Sequence, residues 1–158
     1  MSASPKLVKQ IGVVFAQQER LMEINRGLLE KCRTQSPDTV EIAAMAAILH
    51  SFYTGIENLF KRITLETGGA MPHSEFWHGD LLESMRSVMP ERPAVIGDDL
   101  RSRLKGYLDF RHVFRHAYTF ELNWSRMAPL ALGMEETLQI LKDEVNAFLV
   151  SIGQESIT

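Results

Sequence analysis

Two arginines, two histidines and a tyrosine fall within eight residues in the segment Arg111-His112-Val113-Phe114-Arg115-His116-Ala117-Tyr118. Histidine exchanges protons near neutrality, and arginine is a permanent cation that forks onto phosphate. Arg101, Arg103, Lys105, Arg111 and Arg115 lie close together, with Tyr107, Phe114 and Tyr118 interleaved. Cations beside aromatic rings suit single-stranded RNA, offering phosphate contacts and stacking faces.

At about 100° per residue on a helix, Leu100, Leu104, Tyr107, Leu108, Phe114, Arg115 and Tyr118 all fall within about 60° of Arg111. One stripe therefore starts as leucine and ends as arginine. A helix that only packs would keep it apolar, because a buried guanidinium must find partners or stay expensively desolvated. His116 lies roughly 140° from Arg111, so the pair converges at a groove or between two subunits. The plainer alternative has Arg111 and Arg115 covering an exposed helix end while His116 satisfies a neighbouring carbonyl.

Other constellations are thinner. His112 and His116, four apart, have a spacing that holds metals on one helix face, but no third ligand is near and Cys32 is remote in sequence; neither metal nor cofactor is expected. Glu57 either orients an arginine or histidine of a cleft or pairs with Lys61 at i+4. His50, His73 and His78 have no evident partner and remain unassigned. Gly68-Gly69 lacks the Lys-Ser/Thr of a phosphate loop.

The elements that must position these groups read as helices. Apolar residues recur at helical spacing from Leu7 to Leu29, and again from a cap at Asp38 or Thr39 to Ile63, stopping at Gly68-Gly69. A shorter helix is expected around Trp77 to Val88 and a fourth from Asp98 to Tyr118. A fifth should run from near Asn123 to about Ile152, kinked by Pro129. Tyr118 to Trp124 alternates like a strand but has no partner strand, so it reads as a connector. The expected fold is all-α, an up-and-down bundle of about five helices.

The bulk numbers bound the rest. At 158 residues and 45% hydrophobic content, a single domain over 1–158 is expected. Seventeen Lys and Arg stand against 20 Asp and Glu, so a polyanion must be met by a local patch. The longest apolar run, Ile42 to Leu49, is short of a membrane span, Met1 to Gln10 shows no secretory pattern, and the lone Cys32 fits a reducing compartment. The expectation is a cytoplasmic chain with no membrane partner.

Arg111, four residues, His116, one residue and Tyr118 together resemble the R-x4-H-x-Y motif of HepT-like HEPN ribonuclease toxins. His112 fits as well, since that family often places a polar residue after the arginine. His50-Ser-Phe-Tyr-Thr-Gly-Ile-Glu57-Asn58-Leu-Phe-Lys-Arg62-Ile is similar to the family's second helix, and Trp77-His78-Gly-Asp-Leu-Leu and Leu-Lys-Asp-Glu-Val-Asn-Ala-Phe-Leu to later segments.

The resemblance implies a HEPN-like fold and a metal-independent endoribonuclease acting as a homodimer, with the two motifs facing each other. It also implies a small nucleotidyltransferase antitoxin of the MNT kind. On that basis His116 handles the proton of the 2′-hydroxyl or of the leaving oxygen, Arg111 holds the phosphate, and Arg115, His112 and Glu57 support RNA binding. Tyr118 is the position that would receive AMP. The alternatives are a non-catalytic HEPN module binding a nucleotide or partner protein, and a helical adaptor using the seam of Leu81, Leu82, Met85 and Met89.

Overall fold

The computed structural model describes residues 5–153; the two ends of the expected 1–158 domain, residues 1–4 and 154–158, lie outside the described residues. The chain forms α1 (Pro5–Ile24), α2 (Arg26–Thr34), α3 (Thr39–Glu66), α4 (Trp77–Arg86), α5 (Asp98–His116), α6 (Trp124–Leu132) and α7 (Met134–Ser151). It is all-α, and among the described residues there is no strand.

The helix α3 is the centre. Its start is fixed by a reciprocal cap in which the Glu41 amide donates to Asp38 Oδ1 at 2.8 Å and the Asp38 amide to Glu41 Oε1 at 3.0 Å. Its end is fixed by Gly68, whose φ of 87° a side-chain-bearing residue rarely adopts. Its buried residues cover a broad face, because α1, α4, α5 and α6 all pack against it. Gly55 lets α1 approach: a Cβ there would lie 2.2 Å from Gln18 Nε2, which donates to the Phe52 carbonyl at 2.8 Å.

By length and composition α3 is also apolar enough to cross a membrane, with a mean hydropathy of 1.3 over an 18-residue window. Polar residues such as His50 and Glu57 interrupt its apolar run. Here Phe52, Tyr53, Ile56, Leu59, Phe60 and Ile63 are each fully buried against neighbouring helices.

Three expectations about the elements are corrected. The first helix is two, divided at Asn25 (φ −101°, ψ 11°), whose side-chain amide shares the Leu21 carbonyl at 2.9 Å with its own backbone amide at 3.3 Å. The last helix is also two, α6 and α7, divided at Gly133 rather than simply kinked at Pro129. A Cβ at Gly133 would sit 2.9 Å from the Pro129 carbonyl, and the Leu130 carbonyl is taken by the Tyr107 hydroxyl at 2.6 Å. Among the described residues seven α-helices therefore stand where about five are expected. The connector after α5 holds a 3₁₀ turn, Thr119–Glu121, so Tyr118 stands outside the helix.

The α5 stripe packs as its spacing predicts, with Leu100, Leu104, Tyr107 and Leu108 all buried. Each buried leucine contributes on the order of 2 kcal/mol. Three of them on one face fix the rotation of α5, and that rotation carries Arg111 inward.

Candidate active site

Arg111 is 2% exposed. Its Nη2 donates to Glu57 Oε2 at 2.9 Å, its Nη1 reaches Thr54 Oγ1 at 3.4 Å, and its guanidinium lies 5.0 Å from the centre of the Tyr53 ring. Tyr53, Thr54 and Glu57 lie within about one turn of α3, so a single stretch of that helix supplies most of the cation's setting. Desolvating two such charges costs several kcal/mol per ion, which their attraction offsets only with good geometry and further hydrogen bonds. The Tyr53 hydroxyl is pushed well above its ordinary range, first by burial and then by the Glu57 carboxylate.

Glu57 is therefore not the solvated partner of Lys61. Its carboxylate faces Arg111 and, at 2.7 Å, His78 Nδ1, while Lys61 sits 4.7 Å over the Trp77 ring. His78 Nδ1 is also 2.9 Å from Arg111 Nη2. The imidazole is placed by the start of α4, where Ser74 Oγ accepts from the Phe76 amide at 3.1 Å and donates to Asp80 Oδ2 at 2.9 Å. Trp77 stacks on its ring with centroids 3.6 Å apart.

These groups open onto a surface depression of about 420 Å³ between α4 and α5, lined by His78, Arg111, His112 and Arg115, with Lys105 and Asp109 at its edge. The five-cation cluster largely cancels in three dimensions. Arg101 pairs with Glu83, Arg103 with Glu136 at 3.3 Å, Lys105 with Asp109 at 2.5 Å, and Arg111 with Glu57. Arg115, exposed, has no ion pair among the described residues, and it is the cation left to meet an anion there. Together with Arg111 it also acts on His50, whose proton affinity is lowered first by burial and then by these two charges.

The structure brings Glu57, Arg111, His112 and Arg115 to one place and leaves His116 and Tyr118 outside it. His116 is exposed and packs its ring on His112, centroids 4.7 Å apart. Among the described residues no hydrogen bond joins it to Arg111. Tyr118 is 71% exposed and stacks on Phe120 at 5.3 Å, so it does not continue the buried stripe. The structure adds His78, Thr54 and Tyr53, which sequence reasoning left out. The one available signal was Ser74 six residues before Asp80, a helix start that fixes where His78 stands.

Among the described residues no three His, Cys, Asp or Glu side chains converge to hold a metal. A larger groove of about 740 Å³ between α1 and α3 contains Lys6, Lys9, Lys61 and Arg62 but no group that exchanges protons near neutrality.

A family model described as HepT-like protein matches residues 44–152, which is 109 of the 158 residues. The match starts within α3 and ends just past α7, so it contains every candidate residue. No curated protein and no solved structure matches the chain.

Proposed function

Because the chain belongs to the HepT-like protein family, we propose that it is a toxin that cleaves RNA without a metal. The observation that carries this reading is a depression lined by Arg111 and Arg115 of one helix, with the exposed His116 following Arg115 in the chain. Arg115 takes the incoming phosphate, the Arg111 charge stabilises the transition state from below, and His116 exchanges a proton with the 2′-hydroxyl or the leaving oxygen.

The offset between Arg111 and His116 is closed in a homodimer, where His116 of the partner subunit lies across the cleft. Exposed apolar residues around the end of α5, Val113, Tyr118 and Phe120, support such a face. The neutralising partner is an MNT-type nucleotidyltransferase. The exposed Tyr118 hydroxyl is the acceptor of its AMP, which would set negative charge beside the phosphate path.

A second reading, a non-catalytic module binding a nucleotide or a partner protein, is favoured by one observation: a buried arginine paired with a buried glutamate is also how a purely structural arginine looks. The two separate on purified protein and single-stranded RNA in excess EDTA. The ribonuclease cuts, leaving 2′,3′-cyclic phosphate ends; a protein that binds the RNA and leaves it intact is the module.

A further inference from the structure

We propose that His78 is a second acid–base group of this site, held by Glu57, and that it takes the proton of the ribose 2′-hydroxyl. This role rests on the RNA-cleavage reading.

Three atoms form a nearly equilateral triangle: Arg111 Nη2 to Glu57 Oε2 at 2.9 Å, His78 Nδ1 to Glu57 Oε2 at 2.7 Å, and Arg111 Nη2 to His78 Nδ1 at 2.9 Å. A ring nitrogen holds either a proton or a lone pair. The carboxylate only accepts, so its short contact is attractive only if Nδ1 carries the proton. A guanidinium only donates, so its 2.9 Å contact with Nδ1 is a hydrogen bond in the other tautomer alone; with Nδ1 protonated, Oε2 remains the acceptor of Arg111 Nη2. One carboxylate oxygen therefore takes both donors, and the neutral imidazole keeps its lone pair on Nε2.

Among the described residues Nε2 has no hydrogen-bond partner, and His78 lines the depression with 28% of its side chain exposed. Trp77 against one face and Glu57 at Nδ1 hold the ring, so little reorganisation is needed when a proton arrives. A carboxylate behind the imidazole stabilises the imidazolium as it forms. His116 has no carboxylate partner among the described residues, which leaves it the complementary acid.

The step balances. The 2′-hydroxyl proton passes to His78 Nε2 as the 2′-oxygen bonds to phosphorus. The bond from phosphorus to the 5′-oxygen breaks, and that oxygen takes a proton from His116. The products are a 2′,3′-cyclic phosphate and a 5′-hydroxyl, and solvent resets both rings. The charges facing His78 are Glu57 from α3, Arg111, His112 and Arg115 from α5 with the Lys105–Asp109 pair, and Glu75 from the preceding loop.

The test is the pH–rate profile of RNA cleavage by full-length wild type, His78→Asn, His78→Ala and Glu57→Gln, each checked by circular dichroism. Asparagine places an amide donor where Nδ1 stands, so it keeps the Glu57 contact and removes only the base. Wild type should be bell-shaped. His78→Asn should melt like wild type yet cleave about 10²- to 10⁴-fold more slowly, without the acidic limb. Imidazole should restore part of the rate in His78→Ala. Glu57→Gln should slow cleavage, since the ring loses the carboxylate that orients it. A folded His78→Asn that cleaves at the wild-type rate, or that keeps both limbs, overturns the role. A wild type inert toward RNA overturns the reaction itself.

Discussion

The Arg111 guanidinium on α5 donates to the Glu57 carboxylate on α3 at 2.9 Å, with the two side chains 3% and 6% exposed. This contact joins the segment that resembles a catalytic motif to the central helix, and it gives Arg111 a structural duty beside any chemical one.

Arg111→Ala should therefore not leave stability untouched, since it strands a buried carboxylate with only His78 beside it. The expected loss is about 3 to 5 kcal/mol. Replacing both partners, Arg111→Met with Glu57→Met, should recover much of it because no charge is left unpaired. Urea unfolding of the two single variants and the double variant reads the difference.

Arg115→Ala should behave oppositely. The side chain is exposed and makes no ion pair among the described residues, so stability should change by no more than about 0.5 kcal/mol. RNA affinity should fall, and the slope of log affinity against log salt should shrink by about 0.7, the loss of one phosphate contact on a single strand. Fluorescence anisotropy at several salt concentrations measures both.

His50 carries a pH dependence of fixed sign. Burial and the charges of Arg111 and Arg115 hold its folded value below the ordinary one of 6.5. Between the two values the unfolded chain binds a proton that the folded chain does not, so stability falls as pH drops through about 6.5 and levels off below the folded value. His50→Gln should flatten that part of the curve. Melting temperatures from pH 5 to 8 check it.

Coexpression with a nucleotidyltransferase of the MNT kind should add the mass of one AMP to the chain, and Tyr118→Phe should abolish the gain. Intact-mass spectrometry decides; an unchanged mass in the wild type removes Tyr118 from the account.

Much of this was legible because it is local. The leucine stripe of α5 follows from residues three and four apart, and the α3 start from a cap at Asp38 or Thr39, which the structure places at Asp38. The divisions at Asn25 and Gly133 were harder, because one residue interrupts the backbone while the apolar period runs on either side. Which arginine and which histidine Glu57 would meet was not legible. Lys61 is one turn away in sequence, whereas Arg111 and His78 arrive only once α4 and α5 have packed against α3. The pairing of Arg101, Arg103 and Lys105 hides in the same way, so a run that reads as a basic patch reduces to Arg115 at the depression.

His116 offers the most direct test of the ribonuclease reading, because it is exposed and makes no hydrogen bond among the described residues, so its loss should not disturb packing. The measurement is the rate of single-stranded RNA cleavage in EDTA by wild type and His116→Ala, with their unfolding curves overlaid. The account predicts superimposable unfolding and a rate about 10²- to 10⁴-fold lower in the variant. A His116→Ala protein that cuts RNA at the wild-type rate would contradict it.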